Sequence, residues 1–244
     1  MKAFLLAAGE GTRLSPLTVH IPKCLVPIAG KPLLEIWFDL LLRYGISEVL
    51  INTHHLAGQV EDFIRFLKTP IKTHLTYEPE LLGSAGTLLQ NRDFVKNEPF
   101  FWIIYTDSLT DANLGRLMRF HKKADSLLTL GLFHVDNPTQ SGIVLLDCEN
   151  RIVNFIEKPA NPSSDLANTG IMIASPSLLD EIQCCNPCDL SLNVLPNFVG
   201  RMYGKLIEGF FIDIGTPERY NKALTKYKQL SQITVGDSNA HVVL

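Results

Sequence analysis

Three runs of consecutive apolar residues, Phe4-Leu5-Leu6, Val49-Leu50-Ile51 and Phe100-Phe101-Trp102-Ile103-Ile104, punctuate the first half of the chain. The spacers between them carry helical period. Strands without polar alternation are those covered on both faces, so the pattern predicts an α/β fold: a mostly parallel, mixed sheet with helices on both sides. The first helix is predicted to start at Pro32, whose missing amide hydrogen costs nothing there, with Leu33, Leu34, Trp37, Leu40 and Leu41 on one face. Gly45 ends it. Helices over 56–67 and 114–123 and strands over 73–77 and 127–135 continue the alternation. Strands near 142–146 and 152–156 read as mixed or antiparallel structure covering the mouth of the sheet. Residues 1–230 are expected to form one domain, and 231–244, polar with a short apolar end, a tail without assigned structure.

The 244 residues suffice for one α/β domain with a substantial core. A formal charge of −3 offers no basic surface of the kind nucleic acid or anionic lipid requires, which points to a small ligand. The apolar N-terminal run stops at Gly9, too short for a signal peptide, and no later run spans a bilayer; no membrane association and a cytoplasmic location are expected. Five cysteines, an odd count, are then expected to be reduced thiols. Cys184-Cys185-x-x-Cys188 is spaced like a metal site but lacks a completing pair or histidine, so zinc is not expected. Homo-oligomerisation is left open.

Candidate chemistry concentrates between residues 5 and 23. An apolar strand ends at Leu6, and Ala7, Ala8, Gly9, Gly11 and Thr12 then form a turn of small residues whose amides can approach an anion, followed by the cations Arg13 and Lys23. A dinucleotide fingerprint would place its third glycine at Leu14, and a P-loop is excluded because Gly30-Lys31 runs into Pro32. A second small-residue stretch, Gly83-Ser84-Ala85-Gly86, opens a helix against which a planar base could lie; a plain glycine-rich helix start is the alternative. His54-His55 sit at a strand-to-helix turn and are read as a polar turn in preference to a metal or titrating pair. Asp107 follows the central apolar strand, where open α/β sheets bind ligands, and Asp213 precedes a helix start at Thr216-Pro217, where capping alone could explain it.

Gly9-Glu10-Gly11-Thr12-Arg13, then Pro22-Lys23 and Leu25-Val26-Pro27-Ile28-Ala29-Gly30-Lys31-Pro32-Leu33-Leu34-Glu35, resemble the signature of the sugar-1-phosphate nucleotidylyltransferases. The segments Gly142-Ile143-Val144, Glu157-Lys158-Pro159, Asn168-Thr169-Gly170 and Asp213-Ile214-Gly215-Thr216-Pro217 continue that resemblance over residues 1–228. It implies a Rossmann-like fold with a small β-rich sugar-binding portion. No hexapeptide repeats occur, so the left-handed β-helix extension of some relatives is not expected.

The resemblance also implies roles. Leu6, Ala7, Ala8, Gly9, Gly11, Thr12, Arg13, Lys23, Gly83 and Ser84 would bind the nucleotide; Gly142, Glu157, Lys158, Asn168 and Gly170 the sugar phosphate; Asp107 and Asp213 one Mg²⁺. Arg13, Lys23, Asp107 and Asp213 would carry catalysis. The implied partners are a nucleoside triphosphate and a sugar 1-phosphate, joined to an NDP-sugar with release of pyrophosphate by direct displacement. GTP with mannose 1-phosphate is the leading pair. Uridylyl, thymidylyl or heptose-phosphate guanylyl transfer are alternatives, as is a silent sugar-nucleotide sensor. Two departures stand out: Tyr105-Thr106 precede the aspartate where the family has Gly or Asn-Gly, and Thr169 replaces a small apolar residue in the sugar segment.

Overall fold

The structure, a computed structural model, describes residues 1–183 and 186–237, with side chains through residue 229. Cys184, Cys185 and the tail beyond 237 lie outside the described residues. The first half alternates as expected. Strand β1 (Lys2–Leu6) leads through the glycine turn to a short hairpin, β2 (Pro27–Ile28) and β3 (Lys31–Pro32), and then to α1 (Leu33–Arg43). Next come β4 (Glu48–Thr53), α2 (Ala57–Phe66), β5 (Lys72–Tyr77), α3 (Ser84–Gln90) and β6 (Phe101–Tyr105). Strands β6, β1, β4 and β5 lie side by side and parallel, with Leu6 opposite both Asn52 and Tyr105. The ends of these strands therefore meet at one edge, where β1 passes into the glycine turn.

Pro32 is not the first helical residue: it pairs with Pro27 in the hairpin, and α1 begins one residue later. The helix is also more deeply covered than one face suggests, since Ile36 and Phe38 are buried along with the five expected residues.

The second half consists of β7 (Ser108–Thr110), α4 (Leu114–Ala124), β8 (Leu128–His134), β9 (Gly142–Leu146), β10 (Ile152–Glu157), β11 (Leu166–Ala174), α5 (Leu178–Glu181), β12 (Met202–Leu206), β13 (Phe211–Asp213) and α6 (Pro217–Asp237). Strand β11 is antiparallel to β6 through residues 171–174, and its earlier half runs past the end of β6 to pair with β9 at Ala167. The β9–β10 hairpin thus stands beyond the end of the central strand, beside the mouth of the sheet. On its other side β11 pairs with β8 along both halves, with a register shift between Asn168 and Met172.

Burial explains the unbroken apolar runs. Ala3, Leu5, Val49, Ile51, Trp102 and Ile104 face one core with α1 and α4, while Phe4, Leu50, Phe101 and Ile103 face a second with α3 and α5. At about 1.5–3 kcal/mol for each large side chain removed from water, both faces contribute to holding the strand ends in place.

Candidate active site

A cavity of about 330 Å³ opens where β1, β4 and β6 end. Its lining includes Leu6, Ala7, Ala8, Gly9, Gly11, Thr12, Arg13, Lys23, Gly83, Ser84 and Asp107, so the phosphate-side and base-side residues anticipated from sequence share one space. Among the described residues, the amides of Ala8, Gly9, Glu10, Gly11 and Thr12 have no protein acceptor. Successive unpaired amides beside two cations form a concave anion-binding surface. Gly11 sustains it with a left-handed φ of 69°, and a Cβ there would lie 2.9 Å from Thr18 Cγ2. Thr18 in turn donates its hydroxyl to Gly11 O at 2.8 Å, which closes the loop on itself.

Lys23, 9% exposed, reaches Asp107 Oδ2 at 2.7 Å. Asp107 and Asp213 come together through backbone pairing: Asp213 lies opposite Ser108 in the β7–β13 ladder, and Ile214 N donates to Asp107 O at 3.0 Å. Asp213 accepts from Gly215 N at 2.6 Å and pairs with Arg219. Gly215 also lines the cavity, and a Cβ there would stand 2.8 Å from Asp213 Oδ1 and 3.3 Å from the Arg13 guanidinium, so a bare backbone lets these groups converge. Among the described residues no third acidic, histidine or cysteine side chain joins the pair. Two carboxylates suit a hard divalent cation whose remaining ligands are water and phosphate oxygens, so the donor set fits Mg²⁺.

The base-side loop is held by a segment distant in sequence. Ala85 N and Gly86 N both donate to Cys188 O, at 2.9 and 3.1 Å, and Cys188 N donates to Leu82 O at 2.7 Å. Ser84 Oγ donates to Asp189 Oδ2 at 2.9 Å and accepts from Leu190 N at 2.7 Å. Cys188 is disulfide-bonded, which corrects the expectation of reduced thiols throughout. Cys24 is a buried free thiol in the cavity wall, and desolvation pushes it up to about 12.

None of the anticipated sugar-side residues lines this cavity. Gly142 leaves room for Glu157, whose Oε2 lies 2.7 Å from where a Cβ would stand. Burial raises the Glu157 carboxyl above its ordinary value; Lys158 opposes this and Asp189 adds to it. Lys158 is mostly exposed, 3.9 Å from Glu157. Asn168 Oδ1 accepts Gly170 N at 3.0 Å, and Gly170, with φ 75°, packs its α-carbon against the Tyr105 ring. The two sequence departures are absorbed by the sheet. Thr106 donates its hydroxyl to Leu6 O at 3.0 Å, and Thr169 donates to Gly131 O at 2.8 Å.

Asn52, Glu78, Leu81, Tyr105 and Asp189 also line the cavity, and none of them was given a binding role from sequence. Asp189 carries a local signal, since its side chain caps Ser191 N and Leu192 N ahead of a helical turn, but that pattern says nothing of a cleft. Tyr105 contributes a buried hydroxyl, and that burial raises its pKa above the ordinary value, with Ser84 opposing the shift.

Fold and cavity define an α/β protein with an anion-ready cleft at the edge of a parallel sheet, lined by Asp107 and the cations Arg13 and Lys23. The sequence model described as nucleotidyl transferase matches residues 2–230, and the chain belongs to that family. It is 32% identical over 236 residues to mannose-1-phosphate guanyltransferase beta-B of Xenopus laevis, covering 94% of this chain and 65% of that protein. It is 32% identical over 235 residues to mannose-1-phosphate guanylyltransferase 1 of Arabidopsis thaliana, covering 93% and 64%. The chain therefore spans just under two thirds of the length of these relatives. Among solved structures, HddC from Yersinia pseudotuberculosis complexed with GMP-PN superposes with a TM-score of 0.78 at 26% identity, covering 93% of this chain and 99% of that one. A UDP-glucose pyrophosphorylase complexed with UDP-glucose shares the fold, with a TM-score of 0.80 at 22% identity, covering 93% and 98%. No helix of the described residues is long and apolar enough to cross a membrane.

Proposed function

We propose that the chain transfers a nucleotidyl group from a nucleoside triphosphate to a sugar 1-phosphate, giving an NDP-sugar and pyrophosphate, with GTP and mannose 1-phosphate as the first pair to test. The observation that carries this reading is the run of unpaired amides from Ala8 to Thr12 in one cavity with Arg13, Lys23 and Asp107. The choice of guanine rests on the guanylyltransferase relatives and on the GMP-PN complex of a structural neighbour.

In the proposed reaction an oxygen of the sugar phosphate bonds to the α-phosphorus while the bond from that phosphorus to the β-phosphate oxygen breaks. Two unit charges about 4 Å apart repel by about 4 kcal/mol at an effective dielectric near 20, so cations must cancel that repulsion. Arg13 would fork onto the leaving pyrophosphate, Lys23 would leave Asp107 for the reacting phosphates, and Lys158 would orient the sugar phosphate. Asp107 and Asp213 would hold Mg²⁺, which when bound supplies positive charge at the phosphates. The sugar phosphate is already ionised near neutral pH, so no general base is needed. Cys24, with its thiol raised to about 12, is no nucleophile at neutral pH, in keeping with direct displacement.

The test is a matrix of nucleoside triphosphates against hexose, heptose and amino-sugar 1-phosphates with Mg²⁺, read as pyrophosphate release. Release with GTP and mannose 1-phosphate above the other pairs is the expected result. Binding of NDP-sugars with no pyrophosphate from any pair would instead identify a sensor.

A further inference from the structure

The turn between β4 and α2 reaches both loops of the cavity. Asn52, at the end of β4 and 5% exposed, accepts the Ala7 amide on Oδ1 at 2.7 Å and donates from Nδ2 to Glu78 Oε1 at 2.9 Å. Glu78, 2% exposed, accepts the Thr87 hydroxyl on the same oxygen at 2.5 Å and the Leu82 amide on Oε2 at 3.2 Å. Ala7 opens the phosphate-side loop, and Leu82 to Thr87 form the base-side loop. One buried chain of hydrogen bonds therefore joins the two loops beneath the cavity. The neighbouring histidines extend it: His54 Nδ1 donates to Glu78 O at 2.7 Å and His55 Nε2 to Thr18 O at 3.0 Å.

The residue types are restrictive. Asparagine at position 52 offers an acceptor to one side and a donor to the other, and only an ionised carboxylate at position 78 accepts from Asn52, Thr87 and Leu82 together. We infer that Asn52 and Glu78 are positioning residues that set the spacing between the phosphate-side and base-side loops and thereby fix affinity for the nucleoside triphosphate. This rests on the function proposed above. Neither residue is assigned to the reacting atoms.

Reversing the pair tests the inference. N52D places a carboxylate oxygen against Glu78 Oε1, and E78Q places an amide nitrogen against either Asn52 Nδ2 or the Leu82 amide, so each single change sets like groups face to face in a buried site. The combination N52D/E78Q restores every pairing. The carboxylate introduced at position 52 would accept from Ala7 N and from the amide nitrogen introduced at position 78. The carbonyl oxygen of that new amide would accept from Leu82 N. The Thr87 hydroxyl, which accepts from Asn52 Nδ2 at 3.0 Å and donates to Glu78, would reverse both roles, donating to the carboxylate introduced at position 52 and accepting from the amide nitrogen introduced at position 78.

Dissociation constants for GTP, UTP and dTTP by titration calorimetry, the Michaelis constant for mannose 1-phosphate and thermal midpoints would be measured on all four proteins. Each single variant should weaken the tightest-bound triphosphate roughly tenfold or more, leaving the sugar-phosphate constant within about twofold, and the reversed pair should recover to within about threefold of wild type. Single variants with wild-type nucleotide affinity, equal weakening of both substrates, or a reversed pair no better than its components would overturn the inference. Should a single variant fail to fold, Thr87→Val removes the hydroxyl that donates to Glu78 and accepts from Asn52 and should weaken the triphosphate alone; unchanged affinity counts against the inference. A wild-type chain that binds no triphosphate overturns the proposed function itself, a result distinct from failure of the reversed pair in a chain that binds one.

Discussion

At the scale of single residues, the cleft works through charges held in place by backbone. Arg13 lies against Gly215, Lys23 is pinned by Asp107, and Asp213 takes the Gly215 amide. These contacts contribute little to the two apolar cores, so their loss should register in chemistry before stability. Arg13→Ala and Asp213→Asn are each expected to lower turnover about 100-fold while the thermal midpoint stays near wild type, because removing one preorganised charge from a transition state costs about that much. Steady-state kinetics beside a thermal melt would check this; near-normal turnover in either variant would remove that residue from the mechanism. Arg13, Lys23 and Asp107, which line the cavity, were legible as candidates in the sequence because each sits in a short motif. Tyr105, Glu78 and Asp189 were not, since their place in the wall depends on contacts across the sheet.

At the scale of elements, the decisive contact is the docking of the Gly83–Thr87 stretch on the backbone of Cys188. Gly83 has φ 77°, and a Cβ there would collide with Cys188 O and fall 2.6 Å from its carbonyl carbon. Backbone cannot step aside as a side-chain tip does. Gly83→Ala is therefore expected to cost about 1–3 kcal/mol in urea unfolding and to weaken nucleotide binding as the loop undocks. An unchanged unfolding midpoint would show that the docking contributes nothing. The sequence displays the glycines of this loop, but Asp189, which holds Ser84 beside that contact, lies 105 residues away, beyond the reach of any periodic or local signal.

At the scale of the whole molecule, alternating burial on β1, β4 and β6 fixes the sheet, and the sheet fixes the cleft. That architecture was the most readable part of the chain, because unbroken runs such as Phe101 to Ile104 have few other stable placements. The long β11, paired with β8 along both halves, with β6 through residues 171–174 and with β9 at Ala167, was not readable, since its partners lie far apart in sequence. The fold also carries a pH liability in α4. His121 is buried with Nδ1 2.8 Å from Thr129 Oγ1, and burial, partly offset by Asp125, pushes its pKa down from 6.5 to about 4. The unfolded chain takes up that proton first, so this contribution to stability is present above pH 6.5 and is lost as pH falls from 6.5 towards 4. His121→Gln should flatten the fall in unfolding free energy across that window; an unaltered slope would assign the acid sensitivity elsewhere. In the function proposed here, one triphosphate lies on the Ala8–Thr12 amides between Arg13 and Lys23 with an ion shared by Asp107 and Asp213. A crystal structure with Mg²⁺ and a non-hydrolysable GTP analogue measures this most directly. Phosphates on those amides and one ion touching both carboxylates are predicted, whereas phosphates bound outside the cavity, or an ion touching neither aspartate, would contradict the account.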